Sequence, residues 1–179
     1  MDIAVKQERL QGRLGPEIQE FKENIKTLQL ATVNADGKPN VSYAPFVYTE
    51  DGYYVLISEI ARHTQNILVN PSVSLMLIED ESTAKSLYAR TRLTFDATGV
   101  VVPRQTEKWA KLIVLMQQRL GDTVNGLSQL ADFKLIHLQP EQGLFVKGFG
   151  KAYQVSSDEL VDFVHLEKGH QPIAEAKAS

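Results

Sequence analysis

The chain contains no cysteine, which removes disulfides, thiolate metal centres and cysteine nucleophiles from consideration together. It has no apolar run approaching the ~18 residues of a membrane span. Its start, Met1-Asp-Ile-Ala-Val-Lys-Gln-Glu-Arg9, lacks an apolar signal core. These absences predict a cytoplasmic protein that does not engage a membrane. No long basic block occurs, and 19 Lys and Arg against 22 Asp and Glu leave a formal charge of −3. Without a basic stripe to neutralise phosphates, the sequence predicts no nucleic-acid partner. Internal repeats, a Gly-x-Gly-x-x-Gly or Walker loop and a His-Glu-x-x-His pair are also missing, and Gly148-Phe-Gly150 is too short and lies in a strand.

What is present suits one domain with a substantial core: 179 residues, 43% of them hydrophobic. From Ala4 to about Ile25, Leu10, Leu14, Ile18 and Phe21 recur at helical spacing, and Gly15-Pro16 is expected to break that helix in two. The period then changes to two. Thr27–Asn34, Asn40–Glu50 and Tyr53–Ser58 read as an antiparallel meander, with Pro45 predicting an edge or a bulge in the second strand. Glu59–Asn70 reads as a helix with Ile60, His63, Thr64, Ile67 and Leu68 on one face. Ser72–Glu79, apolar on both sides, reads as a central strand.

Leu87-Tyr-Ala-Arg-Thr-Arg-Leu-Thr-Phe-Asp-Ala97 alternates almost without a break and predicts a strand running on through Val102. One face carries Leu93, Phe95 and Ala97. The other carries Tyr88, Arg90, Arg92, Thr94 and Asp96, so two guanidinium groups are expected side by side on a stiff backbone. Such a face suits an anion, a polarised ligand or a partner chain, and equally a solvated outer surface. Beyond it, Thr106–Gly121 is the clearest helix and Asn125-Gly126 reads as a loop. Phe133–Leu138 and Leu144–Val155 read as two strands, and Ser156-Ser-Asp-Glu159 as a capping box opening a helix through Phe163. The Ala/Lys/Glu tail reads as disordered. Six to seven antiparallel strands with inserted helices predict a mainly β fold, a compact barrel rather than a sandwich.

The chemistry-bearing residues are sparse. His63, on the apolar side of its helix, and His137, in the parity of Phe133 and Leu135, read as core histidines, His63 with a backbone hydrogen bond. His165 follows the last predicted helix and suits a cap. His170, in a polar segment with Gly169, reads by position as solvated, and a spacing of five does not make it a chelating partner of His165. Asp132, just after Leu130-Ala131, needs a donor. Glu79-Asp-Glu81 reads as a solvated turn. Periodicity and spacing alone name no activity.

Leu28-Gln-Leu-Ala-Thr-Val33, Pro39-Asn-Val-Ser-Tyr-Ala-Pro-Phe-Val47, Gly52-Tyr-Tyr-Val-Leu-Ile-Ser58, Ala61-Arg-His-Thr-Gln-Asn66, Asn70-Pro71 and Gln142-Gly-Leu-Phe-Val-Lys-Gly-Phe-Gly150 resemble the HutZ/HugZ family of haem-utilisation proteins. That family lies in the pyridoxamine phosphate oxidase-like split-barrel superfamily, and the resemblance runs from Val5 to His170. It implies a dimeric split β-barrel of the FMN-binding type, with residues 1–164 as the barrel domain with N-terminal helices and 165–179 as a C-terminal haem-ligand segment and tail. It implies a homodimer binding haem b, as substrate and prosthetic group, at or near the subunit interface. The implied activity is oxygen- and reductant-dependent opening of the porphyrin to a biliverdin-type product with release of iron, supported by an electron donor and a haem-delivery protein.

By the same resemblance His170 is the axial ligand, and Asp132 of the other subunit hydrogen-bonds its imidazole. Arg92 lies on the distal side. Arg90 is either a propionate contact or half of an ion pair. A carboxylate behind an imidazole orients it and raises its basicity, and a fixed guanidinium offers donors where negative charge collects. His63 is the rival ligand. A haem carrier or store is the rival function. A flavin-dependent oxidoreductase, with Arg62, Lys85 and Arg90 as phosphate clamp, ranks below both because it gives Gly169-His170 no role.

Overall fold

The strand patterns of the sequence resolve, in the computed structural model, into a sheet that closes on itself; the structure describes residues 3–163. The elements in order are helix α1 (Ile3–Asn24), strands β1 (Thr27–Val33), β2 (Pro39–Thr49) and β3 (Gly52–Ser58), helix α2 (Arg62–Val69), β4 (Ser72–Ile78), a 3-10 turn (Leu87–Ala89) and β5 (Arg92–Val102). Helices α3 (Glu107–Leu120) and α4 (Thr123–Ser128) and strands β6 (Phe133–Val146), β7 (Ala152–Ser156) and β8 (Val161–Phe163) follow. The strand order is β3-β2-β1-β4-β5-β6, and β6 returns to pair with β3, so six antiparallel strands make the barrel while β7 and β8 extend from β6. The expected six- to seven-stranded barrel is present, with an added hairpin. Among the described residues no helix is long and apolar enough to cross a membrane.

Alternation assigns each strand its inner face. Leu28 and Leu30 of β1, Val73, Leu75 and Leu77 of β4, and Leu93, Phe95 and Ala97 of β5 are buried together in the barrel core with Phe46, Tyr53, Val55, Ile136, Leu138 and Phe145. A second apolar layer lies outside the barrel wall, where Val47, Tyr54, Val102 and Leu135 are covered by Leu112, Ile113 and Met116 of α3. This double burial is why β6 reads Leu135, Ile136, His137, Leu138 with every side chain buried. Thr106 caps α3 by accepting from the Trp109 N–H at 3.2 Å. Pro45 falls where β2 changes partner: residues up to Pro45 pair with β1, and Phe46 onward pairs with β3. Its missing N–H therefore costs no ladder bond on the β3 side, although β2 is paired on both flanks and is not the expected edge strand.

Five expectations are corrected. Helix α1 runs unbroken through Pro16, because Leu10, Leu14 and Ile18 are all buried on one stripe. At about 1.5–3 kcal/mol for each such side chain, that burial outweighs the ~3 kcal/mol a helical proline costs. Within α2 the buried side chains are Thr64, Asn66 and Ile67, while Leu68, and Ile60 ahead of the helix, are exposed. The expected loop at Asn125-Gly126 is inside the short helix α4. The two late strands are redivided: Phe133–Leu138 runs on through Val146 as β6, while Ala152–Val155 of the second expected strand belongs to β7, with residues 147–151 between them outside any strand. Strand β6 passes through Pro140 at an irregularity, where Phe95 pairs with Gly143 and Ala97 with Pro140, so β6 carries one extra residue there. Ser156-Ser-Asp-Glu159 does not open a helix. Ser156 Oγ accepts from the Leu160 N–H at 3.1 Å, Glu159 adopts a left-handed φ of 58°, and β8 follows.

Gly143 lets β5 and β6 approach at that irregularity, since a Cβ there would sit 2.5 Å from the Thr94 carbonyl oxygen and 2.6 Å from the Phe95 ring. Gly143→Ala is expected to destabilise the barrel by roughly 1–3 kcal/mol, read as a lower denaturant midpoint; an unchanged midpoint would contradict this packing.

Candidate functional site

Arg90 and Arg92, expected side by side on one strand face, part company. The chain before β5 is not a strand: Leu87 and Tyr88 are 68% and 91% exposed, and the 3-10 turn bends the backbone so that β5 begins only at Arg92. Arg90 turns back to the carbonyl of Glu79, to which Nε donates at 3.0 Å and Nη2 also donates. Glu79 is equally engaged. Its N–H donates to the Thr91 carbonyl at 2.9 Å, and its Oε2 accepts from the Thr91 N–H at 2.9 Å, so it fastens the end of β4 to the start of β5 rather than lying in a solvated turn. Arg92 is half-buried and makes one long hydrogen bond, from Nη1 to the Arg90 carbonyl at 3.3 Å.

The strand register shows what surrounds Arg92. Ile78, Arg92, Val146 and Ala152 form one cross-strand row, and Tyr43, Gln29, Met76, Thr94, Leu144 and Gln154 form the next row on the same outer face. A third row holds Val41, Ala31, Ser74 and Asp96. This face is unusually apolar for an outer one. Val41 and Tyr43 are 75% and 67% exposed, and Met76, Ile78 and Leu144 are half-buried.

Asp132 lies in the turn between α4 and β6, half-buried. Its Oδ2 accepts from Ser58 Oγ at 2.7 Å, and its carbonyl accepts from the Glu59 N–H at 2.7 Å. The donor that its apolar neighbours require is thus Ser58, and Oδ1 has no hydrogen bond among the described residues. The turn is held from below by Arg104, which donates Nη1 to the Ser128 carbonyl at 2.7 Å and Nη2 to the carbonyls of Leu130 and, at 2.9 Å, Phe133. Trp109 stacks on that guanidinium at 4.5 Å. Neither Ser58 nor Arg104 was singled out by the sequence, because each acts across a distance that no local pattern encodes.

Within one chain these residues do not meet. Asp132 precedes the first residue of β6, whereas Arg92 pairs with Val146 at its last. Fourteen residues at ~3.3 Å each separate them by on the order of 40 Å of strand. His170 and His165 lie outside the described residues. His63 is half-buried with Nδ1 2.9 Å from Ser42 Oγ, so its partner is a hydroxyl rather than the expected backbone group. His137 Nε2 donates to the Asp51 carbonyl at 2.9 Å, and the ring stacks on Tyr54 at 4.3 Å. Among the described residues no three His, Asp or Glu side chains converge as a metal site. Of the three cations offered as a flavin phosphate clamp, Arg62 and Lys85 are exposed and Arg90 is occupied at Glu79.

A family model described as pyridoxamine 5'-phosphate oxidase matches residues 14–147. The chain is 66% identical over 174 residues, covering 97% of it and 99% of the relative, to a protein named heme oxygenase HutZ from Vibrio cholerae. A crystal structure of HutZ from Vibrio cholerae, described as a heme storage protein, superposes with a TM-score of 0.73 at 63% identity, covering 77% of this chain and 97% of that one. The crystal structure of Campylobacter jejuni ChuZ superposes with a TM-score of 0.81 at 33% identity, covering 90% of this chain and 66% of that one.

The two described histidines carry a pH signature. Burial holds both imidazoles below their ordinary value of 6.5, and for His137 the Asp51 carbonyl only partly offsets it. Between 6.5 and those lowered values the unfolded chain binds protons that the folded one refuses. Stability is therefore full above about pH 6.5 and falls as the pH drops below it. His137→Gln should flatten the dependence of the unfolding midpoint on pH between 5 and 8, and an equally steep curve for the variant would assign the effect elsewhere.

Proposed function

This chain belongs to the pyridoxamine 5'-phosphate oxidase family of split barrels and, within it, to the HutZ haem-utilisation group, and from that premise we propose that it binds haem between two copies of itself and opens the porphyrin oxidatively, releasing iron. The observation that carries the reading is the 66% identity over 97% of the chain to a heme oxygenase. When bound, haem and its iron supply the oxygen chemistry; the chain supplies the ligand, the proton partners and a pocket that limits water.

The roles in this reading come from the family resemblance, and the geometry of the described residues is compatible with them. His170 is the ligand, through one ring nitrogen. Asp132 suits the other nitrogen because Ser58 holds Oδ2 while Oδ1 is open, and Arg104 keeps its turn from moving. Arg92, half-buried beside Ile78 and Val146, would offer Nη donors to negative charge on the bound group, and its place on a strand would fix them. Arg90 braces that strand through Glu79 and has Nη1 remaining for a haem propionate. Asp132 and Arg92 can face one porphyrin only if they come from different subunits, which is the reason for proposing a homodimer. The open face carrying Val41, Tyr43, Met76, Ile78, Leu144 and Arg92 fits the second copy, since such an apolar sheet face is rarely left in water.

An electron donor and a haem-delivery protein complete this reading, which puts the reaction in the cytoplasm. Storage is the second reading, favoured by the description of the Vibrio cholerae crystal structure. The absorption spectrum separates the two. With one equivalent of haem, oxygen and ascorbate, an oxygenase loses its Soret band and releases chelatable iron, while a store retains both. His170→Ala should shift the Soret band of the ferric complex and His63→Ala should not; the reverse pattern would move the ligand to α2. Tyr43→Glu is expected to convert the dimer to monomer in analytical ultracentrifugation and to weaken haem binding at least tenfold, a loss of ~1.4 kcal/mol. A dimeric variant with full affinity would place the interface on another face.

A further inference from the structure

Helix α1 holds the last described strand by a set of polar contacts that the haem reading does not use. Lys22, although charged, is 3% exposed and forms an ion pair with Glu159 Oε1. Gln19 Nε2 donates to Glu159 Oε2 at 2.5 Å. One turn after another along the same helix, Gln11 accepts from the Val161 N–H at 2.7 Å and donates to the Glu159 carbonyl at 3.4 Å, and Gln7 donates to the Val161 carbonyl. The Lys22 ammonium also lies 4.1 Å over the Tyr48 ring and 5.5 Å over that of Tyr53, beside a cavity of about 440 Å³ lined by Gln19, Tyr48, Glu50 and Asp158.

Two features show that this arrangement is specified rather than incidental. Glu159 holds a φ of 58°, which an L residue rarely adopts unless its surroundings impose it. A charge taken almost wholly out of water is weakly stabilising even when paired, so net stability alone is a poor account of why Lys22 is buried at Glu159. The pair lies where the chain leaves the barrel: β8 ends at Phe163, and residue 170 is seven residues further on.

We propose that Lys22, Gln11 and Glu159 are positioning residues for the haem ligand, a latch between the two ends of the chain that fixes where the C-terminal segment departs and so lets His170 reach its site. The inference rests on the haem reading given above. Binding loses affinity to whatever conformational freedom it must remove, so a segment whose base is already fixed costs less to order. The latch therefore acts on affinity and not on the nature of the iron–ligand bond.

The test uses the full chain. In Lys22→Met and Glu159→Gln, amide hydrogen exchange of the haem-free protein should accelerate tenfold or more over residues 157–163 while β1, β4 and β5 keep their protection, and the Kd for haem should rise roughly tenfold. The Soret maximum of the saturated complex should not move. Gln11→Leu, which leaves the ion pair in place, should show the same pattern more weakly and covers the case in which a charge variant fails to fold. A merely structural pair would lower Tm and leave the Kd unchanged, and that result overturns the proposal, as does unchanged exchange over residues 157–163. His170→Ala keeps the two readings apart. If it abolishes ligation while the latch variants bind normally, the latch fails alone; if it leaves the Soret band intact, the ligand assignment fails.

Discussion

Pairing of β3 with β6 is the contact on which the rest of the molecule depends. Tyr53 to Ser58 run antiparallel to Leu138 to Phe133, and this ladder turns an open sheet into a barrel. Closure satisfies two edges at once and gives Leu28, Leu75, Leu93 and Phe95 a common interior. It also dictates the outside. With the inner face committed to the core, Tyr54 and Leu135 must point outward, and α3 is needed to cover them. Asp132 sits at the corner where this ladder begins, bonded to Ser58 at the far end of β3, so the carboxylate is fixed by the closure itself.

The same strand sets how far apart the two proposed site residues lie within one copy of the chain. β6 borders β3 at its start and β5 along its length, and so it spaces Asp132 and Arg92 by the full height of the barrel. Rigid strands cannot bend that interval away. A reaction that used both residues on one ligand would need a second chain, and the face that carries Arg92 has exposed apolar side chains at Val41 and Tyr43. Barrel architecture, interface and chemistry are in this sense one constraint.

Much of the barrel was legible because its strands are amphipathic in the simplest way. β1 alternates buried and exposed along nearly its whole length, and α3 shows its stripe, its Thr106 cap and its Gly121 stop. Legibility ended where a distant contact overrode a local signal. Pro16 says break, but the buried stripe on either side of it belongs to one helix. Ser156 and Glu159 have capping-box spacing, but the Glu159 carboxylate goes to Lys22 on the opposite end of the chain. Leu87 to Arg90 continue a strand pattern, but the Arg90 guanidinium is drawn to the Glu79 carbonyl. Arg92 and Asp132 were named through a family resemblance, whereas Ser58 and Arg104, which hold Asp132, were invisible until the chain was folded. One clue did exist for the latch: Lys22 continues the spacing of Leu10, Leu14 and Ile18, a charge on an apolar stripe.

The arginines divide according to their acceptors. Arg119 donates Nη2 to the carbonyls of Lys22, Glu23 and Ile25, where α1 runs out of N–H partners, and it also pairs with Glu23 through Nη1. Arg104 does the same for the turn before β6, and Arg90 for the end of β4. A planar fork of five donors can serve several carbonyls at once, and a lysine could not. Each of these guanidinium groups is thus committed to the backbone. Arg92 has the same chemistry and a poorer set of acceptors, one carbonyl at 3.3 Å. A half-buried cation keeps its uncommitted donors toward solvent, where they can exchange water for another acceptor. Among the described residues, Arg92 is therefore the arginine of this set with donors still open to a further acceptor.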